Sequence, residues 1–140
     1  LKIPQSFKFN NEDMEIFNNY KNNFDNLINF IDNQKINEYV NFIQDQLFSA
    51  NKYFNDQEPW KKKSDIKRLN TIVYVSLEII RKISILLNPI IPDTSLKVLN
   101  IFNQKQNDIN FDSISIHESL KFNDKINKIN ILIKKVEKND

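Results

Sequence analysis

The sequence contains no glycine, no cysteine and only one alanine among its 140 residues. Walker phosphate loops, dinucleotide-binding fingerprints and nucleophile elbows all need glycine where the backbone approaches a ligand or turns sharply. Disulfides, thiolate zinc sites and cysteine nucleophiles all need cysteine and are excluded. A chain without cysteine also gives no sign of whether its compartment is oxidising or reducing. These absences exclude several classes of active site from this chain.

The abundant amino acids are those that an AT-rich genome favours: 23 asparagines, 22 isoleucines and 18 lysines, against two arginines. Asparagine pairs at residues 18–19 and 22–23 lie inside an apolar periodicity, which low-complexity disorder lacks. The net charge of +2 is too small for a protein whose whole surface follows nucleic acid, so any polyanion site has to be local. No apolar run approaches the length of a membrane helix, and we expect no membrane association.

Apolar residues recur at helical spacing through most of the chain. Asn10 or Asn11 can cap the first helix, and Ser64 can cap the third, with Asp65 in its first turn. Pro89 ends the third helix, whose wide apolar face predicts a central position in the fold. The predicted helices cover residues 11–32, 36–54, 64–88 and 92–103.

Beyond residue 107 the apolar pattern becomes short and alternating, and it predicts a loop with a short helix followed by an extended tail. The sequence therefore predicts an all-α fold, a bundle of four to five helices with an extended C-terminal tail. We expect a helical-bundle domain over residues 1–106. We expect residues 107–140 to form a C-terminal extension that packs on the bundle or on a neighbouring domain.

Three short motifs occur in a fixed order around the central helix. The sequence reads Ala-Asn-Lys-Tyr at residues 50–53, Glu-Pro-Trp at residues 58–60 and Leu-Leu-Asn-Pro-Ile-Ile-Pro-Asp-Thr at residues 86–94. Together they resemble the C-terminal anticodon-binding domain of methionyl-tRNA synthetases, in which these motifs flank a long apolar helix in the same order. The resemblance covers about residues 3–137 and implies an anticodon-binding helical bundle.

The chain departs from this family pattern at three points. A glycine that is common near Asn123 and Asp124 is absent, and Lys62 occupies a position where leucine is common. The family also carries anticodon-contacting Asn and Arg side chains on a helix that precedes the Lys-Ile-Pro segment, here residues 2–4. The chain starts at Leu1 rather than at methionine, so we interpret it as part of a longer protein and expect those contacts outside it.

Pro59 and Trp60 are the residues that we expect to bind the anticodon. Single-stranded bases stack on aromatic faces for roughly 1–3 kcal/mol per base, and a preceding proline limits the entropy lost on binding. The resemblance implies that Trp60 stacks on the first anticodon base, a cytosine in methionine tRNA. The alternative is that Trp60, the only tryptophan, anchors the hydrophobic core.

A run of basic residues follows the tryptophan, and these side chains are candidates for contact with RNA phosphates. Neutralising phosphates beside a stacking residue would make binding depend on salt. The alternative is an ordinary solvated helix start in a lysine-rich chain. The candidates are Lys61, Lys62, Lys63, Lys67 and Arg68.

Four further residues are expected to have structural roles. Tyr53 is expected to pack its ring at the helix end and expose its hydroxyl, and Asn51 to bond the backbone near Pro59. Arg81, inside the apolar helix, is expected to pair with a carboxylate. The lone His117 is expected to be a surface or structural residue. We identify no catalytic residues and no metal ligands in the sequence.

The resemblance implies that the chain recognises the tRNA anticodon as part of a methionine–tRNA ligase, a cytoplasmic enzyme of protein biosynthesis. The expected partners are the anticodon loop of methionine tRNA and the protein's own catalytic domain, with no role for DNA. The longer enzyme would use ATP with magnesium. The family's nucleotide-binding signatures, His-x-Gly-His and Lys-Met-Ser-Lys-Ser, do not occur here, so we expect no catalytic centre and no cofactor in this chain. The alternative is a non-catalytic α-helical protein-interaction module with a partner groove at Trp60.

Overall fold

The computed structural model describes residues 1–104 and 108–127. Its helices are α1 (Asn11–Asn22), α2 (Phe24–Asp32), α3 (Ile36–Gln57), α4 (Ile66–Leu87) and α5 (Pro92–Ile101), with 3₁₀ turns at Pro59–Lys61 and Phe111–Ser115. The all-α bundle expected from the sequence is confirmed. None of the described helices is both long enough and apolar enough to cross a membrane. The tail that was predicted to be extended lies mostly beyond residue 127, outside the described residues.

The prediction of one helix over residues 11–32 is wrong, because the chain breaks at Asn23. The backbone there has φ −100° and ψ 5°, and the Asn23 amide donates to the carbonyl of Lys21. The Asn23 side chain also donates to the carbonyl of Asn19 at 2.8 Å. Such local bonds from asparagine compete with the helical ladder, so α1 ends here and α2 follows as a separate helix.

Side chains that bond backbone amides fix the starts of two helices. Asn10 caps α1 through reciprocal bonds with Asp13, in which each side chain accepts from the other residue's amide, at 2.9 and 3.0 Å. α4 begins at Ile66, and its cap is Asp65 rather than the predicted Ser64, because the Asp65 carboxylate accepts from an amide of the first turn. The acidic cap also suits the positive end of the helix dipole.

α4 is the centre of the bundle, as its wide apolar face predicted. α1, α3 and α5 all pack against it, and every residue from 81 to 86 is buried. Each fully buried aliphatic or aromatic side chain contributes about 1.5–3 kcal/mol relative to an exposed one. The core residues supplied by other parts of the chain include Phe17, Leu27, Tyr39, Ile43, Leu99 and Ile114.

Two buried charges on α4, Glu78 and Arg81, hold the irregular C-terminal segment against the bundle. The side chains form an ion pair at 2.9 Å, so the carboxylate partner expected for Arg81 is confirmed. The other carboxylate oxygen of Glu78 accepts from the amides of Ser119, at 2.8 Å, and Leu120. The Arg81 guanidinium donates to the carbonyl of Ser113 at 3.0 Å. These side chains bond backbone groups of a segment that has only one short turn of regular structure.

Lys82 extends this buried cluster of charges. Its ammonium donates to the carbonyls of Ile114, at 2.9 Å, and Ile116, and it lies 3.7 Å from the Glu78 carboxylate. Burial disfavours the charged form, and the neighbouring Arg81 guanidinium adds to this effect. The pKa of Lys82 therefore falls to about 8 despite the attraction of Glu78.

The first residues of the chain pair with the last described ones. Ile3 donates to the carbonyl of Asp124 at 2.8 Å and accepts from the amide of Asn123 at 2.9 Å. Lys2 and Lys125 form an isolated antiparallel bridge beside them. Asn123 has φ 70°, in the left-handed region that glycine favours, and glycine is common near this position in the resembling family. Asparagine tolerates this conformation better than most residues with a side chain, which accounts for the departure.

We predict that the free energy of unfolding rises between pH 8 and about 9.5, above which the tyrosines of the unfolded chain, with an ordinary pKa of 10.0, lose protons that the folded chain keeps. The unfolded chain keeps the Lys82 proton up to its ordinary pKa of 10.5, whereas the folded chain releases it near pH 8, so raising the pH favours the folded state. The gain is at most about 2 kcal/mol, at about 1.4 kcal/mol per pKa unit. Urea unfolding at several pH values measures it. Lys82→Met should abolish the rise, and a flat wild-type profile would contradict the assignment.

Candidate nucleic-acid interface

The link between α3 and α4 is a tight turn that carries the only tryptophan. α3 ends at Gln57, and Pro59–Lys61 form a 3₁₀ turn, which we call the Trp60 turn. Glu58 lies between them with φ 48° and ψ 58°. This left-handed conformation costs about 1–3 kcal/mol for a residue with a side chain. Two amides of the following residues donate back to the carbonyls of Glu58 and Pro59, so the turn has its own backbone bonds.

Trp60 is half exposed, with 52% of its surface accessible, so it does not anchor the core. Its ring lies beside that of Phe54, with the centroids 6.2 Å apart and the planes tilted by 57°. Phe54, on the last turn of α3, is itself 41% exposed. The two rings form an exposed aromatic surface on which a planar base can stack.

The residues on either side of Trp60 have different environments. Pro59 is buried, so its ring offers no surface for stacking, and its effect is to restrict the backbone of the turn. Lys61 forms an exposed ion pair with Glu58 at 2.7 Å. The hydrogen bond and charge of this pair raise the pKa of Lys61 and lower the pKa of Glu58. Such a surface pair contributes little to stability, so its lysine remains able to exchange partners.

Lys62 and Lys63 are the basic residues whose charge is open to an incoming anion. Within the described ranges, no carboxylate forms an ion pair with either of them. Lys63 is exposed and Lys62 is partly buried. Lys67 contacts the N-terminal segment instead, with its ammonium 5.4 Å from the ring centre of Phe7. The basic run therefore divides into two available lysines and neighbours that already have contacts.

Arg68 is engaged inside the protein. Its Nη1 and Nη2 atoms donate to the two carboxylate oxygens of Asp13, at 2.7 and 2.9 Å. Nη2 also donates to the side-chain oxygen of Gln57 at 2.6 Å. Only 18% of the Arg68 side chain is exposed. The structure thus separates Arg68 from the lysines of the basic run, because its charge is already matched by Asp13.

The Asp13 carboxylate is fully buried and accepts four hydrogen bonds. Besides the two from Arg68, it accepts from the Tyr53 hydroxyl at 2.5 Å and from the Asn10 amide at 3.0 Å. Burial acts to raise the pKa of Asp13, but these bonds favour the ionised form, and the net pKa is lowered. The exposed hydroxyl expected for Tyr53 is wrong, because it is buried on Asp13, and burial raises its pKa.

Asp13, Gln57 and Phe54 were not among the site residues predicted from the sequence. A signal for Asp13 exists, because asparagine followed three residues later by an acidic residue is a capping pattern. No local pattern connects Asp13 with Arg68, which lie 55 residues apart.

Asn51 was expected to bond the backbone near Pro59, and this expectation is wrong. Asn51 is exposed, and in the described part of the chain it makes no bond to the backbone of the turn.

The lone histidine has a structural role, as expected. His117 packs on the buried ring of Phe17, with nearly parallel planes and centroids 5.1 Å apart. Burial lowers the pKa of His117. Among the residues that the structure describes, no group of three or more acidic or histidine side chains is placed to hold a metal ion.

Solved structures of aminoacyl-tRNA synthetases contain this fold. The free form of Mycobacterium tuberculosis methionyl-tRNA synthetase matches with a TM-score of 0.82 at 23% identity, over 91% of this chain and 26% of the other. The same enzyme bound by methionyl-adenylate matches with a TM-score of 0.82 at 24% identity, over 90% of this chain and 26% of the other. The fold is thus that of a helical domain of an aminoacyl-tRNA synthetase.

Sequence comparison identifies the family. Residues 3–140 match the family model of the anticodon binding domain of methionyl tRNA ligase. The methionine–tRNA ligases of Methanosphaera stadtmanae and Brucella suis are 36% and 32% identical to this chain, over 73% and 71% of its length. The chain belongs to the anticodon-binding domain family of methionyl-tRNA ligase. It spans 15% and 20% of the lengths of these two relatives.

We predict that Trp60→Ala leaves the domain folded, because the indole is half exposed. The free energy of unfolding should fall by less than about 1 kcal/mol, as for other surface changes. Phe17→Ala, which empties a fully buried position, should lower it by about 3–5 kcal/mol. Urea unfolding followed by far-UV circular dichroism measures both variants. Unfolding of Trp60→Ala would show that the indole carries core packing.

We predict that acid removes the contribution of the Asp13–Arg68 pair. The folded pKa of Asp13 lies below its ordinary 3.8, so the ionised carboxylate stabilises the fold above that pH. The contribution is lost as the pH falls from there through the folded pKa. Asp13→Asn should remove this acid dependence and lower the free energy of unfolding at neutral pH by about 1–3 kcal/mol. The exposed Asp25→Asn is the matched control, and equal acid slopes in wild type and Asp13→Asn would contradict the prediction.

Proposed function

We propose that this chain binds the anticodon loop of methionine tRNA, with the indole of Trp60 stacked on the first anticodon base. The observation that carries the proposal is the half-exposed Trp60 ring on a turn with an ordered backbone. A base gains about 1–3 kcal/mol on an aromatic platform, and little ordering entropy is lost when the platform is already in place. Membership of an anticodon-binding family supports the same role.

The lysines beside the turn supply the charge for this binding. Lys62 and Lys63 form no ion pair with the described carboxylates and are the first candidates for phosphate contact. Lys61, in its exposed pair, and Lys67 are secondary candidates. Phosphate contacts position an RNA without reading its sequence, so the recognition of a particular base has to come from the aromatic surface.

We infer further that the longer protein is a methionine–tRNA ligase that joins methionine to its tRNA with ATP and magnesium in the cytoplasm. A relative with this fold is known bound by methionyl-adenylate, which supports the inference. The chain lacks the family's nucleotide-binding signatures, so ATP and magnesium would bind elsewhere in the longer protein. Its own part would be to dock the anticodon while the catalytic domain holds the acceptor end.

Titration with anticodon stem-loops tests the proposed function. One stem-loop carries CAU and the other a scrambled triplet, and the fluorescence of Trp60, the only tryptophan, reports from the site itself. We expect stronger quenching and tighter binding with CAU. With a label on the RNA, Trp60→Ala should weaken CAU binding by about 5- to 150-fold. Equal affinity for both triplets would contradict base recognition and favour the protein-interaction alternative.

Lys62→Gln and Lys63→Gln test the phosphate contacts. Each change is expected to lower the slope of log affinity against log salt concentration by about 0.7 and to weaken both stem-loops equally. Lys97→Gln, exposed on α5, removes the same charge elsewhere on the surface and is the matched control. Slopes that match wild type in both test variants would contradict the phosphate contacts.

A further inference from the structure

The strained backbone of Glu58 lies between two anchored residues. On one side, Gln57 is held by the Arg68 guanidinium at 2.6 Å. On the other side, Pro59 is buried. A left-handed residue directly before proline persists only where neighbouring structure enforces it. The placement of Trp60 therefore depends on whatever fixes Gln57.

What fixes Gln57 is a chain of contacts across three helices. Arg68 of α4 bonds Gln57 at the end of α3 and is itself held by the carboxylate of Asp13 from α1, through two parallel bonds. Tyr53, one turn earlier on α3, bonds the same carboxylate. A planar guanidinium with bidentate bonds has little rotational freedom, so its remaining contact to Gln57 is also fixed in direction.

We propose that Asp13 and Arg68 are positioning residues for anticodon binding. Acting through Gln57, they hold the Trp60 turn in the geometry that leaves the indole open for stacking. This inference rests on the proposed function of Trp60. It gives Arg68 a role different from the phosphate contact that its place in the basic run suggests, because its charge is matched by a buried carboxylate.

A double-mutant cycle separates positioning from direct contact. In the wild-type background, Arg68→Met should weaken binding of the CAU stem-loop by about 5-fold, because the indole is no longer held in place before the base arrives. In the Trp60→Ala background the same change should weaken binding by less than about 2-fold, since no indole is left to position. Equal losses in the two backgrounds would mean that Arg68 contacts the RNA or supports only the overall fold. That result overturns the proposal.

Asp13→Asn provides a test of opposite sign. The variant frees the charge of Arg68, so an arginine that contacts phosphate would bind the stem-loop more tightly. A positioning arginine binds it more weakly, and we expect a loss of about 5-fold. Asp25→Asn makes the same change of charge on the exposed face of α2 and should bind like wild type. Tighter binding by Asp13→Asn overturns the proposal.

Gln57→Met keeps the Asp13–Arg68 pair and removes only the last link to the turn, so it decides the matter if the other variants fail to fold. In the free protein we expect lower anisotropy of Trp60 fluorescence and stronger quenching by acrylamide, with unchanged circular dichroism. A Trp60 signal identical to wild type overturns the proposal. If Trp60→Ala leaves CAU binding unchanged, the proposed function fails, while this measurement still reports whether the turn is held.

Discussion

The geometry of the Trp60 turn depends on the hydrogen bonds made to the buried Asp13 carboxylate. A buried ionised carboxylate is tolerated only with hydrogen-bonding partners, and here they come from Arg68, Tyr53 and the amide of Asn10. These donors belong to the start of α1, the end of α3 and the start of α4. Because loss of Arg68 leaves the buried charge uncompensated, and loss of either neutral donor leaves the carboxylate with a hydrogen bond missing, the three segments keep a fixed relation to one another.

The second set of buried charges on α4 follows the same physical rule at another place. Glu78, Arg81 and Lys82 have their partners among backbone groups of residues 113–120, which form no helical ladder of their own beyond one short turn. Apolar packing alone would leave those amides and carbonyls unsatisfied. Long charged side chains therefore connect an irregular segment to the core, and the same helix serves both clusters.

Much of the fold could be predicted from the sequence, because helical spacing and prolines are local signals. The spacing predicts α3, α4 and α5, and Pro59, Pro89 and Pro92 mark the boundaries between them. The break at Asn23 could not be predicted, since the apolar period continues through it.

Of the candidate site, Trp60 and the neighbouring lysines could be identified from the sequence, because they stand in one contiguous stretch. The Asp13–Arg68 pair joins residues 55 apart and has no local signature. The exposure of Phe54 could not be predicted from the sequence either, because the apolar stripe of α3 is wider than the face that the helix buries.

The partners of the two clusters are synthesised at different times. Every partner in the Asp13 network has left the ribosome once Arg68 has emerged, so the contacts of the Trp60 turn need no residue that is made later. The buried charges of α4 have no backbone partners until residues 113–120 have been synthesised, and Ile3 has none until Asn123 has been synthesised. Until those segments arrive, the charged side chains favour water over burial, which delays the packing of α4. In the nascent chain the aromatic surface therefore has all its hydrogen-bonding partners before the buried charges of α4 have theirs.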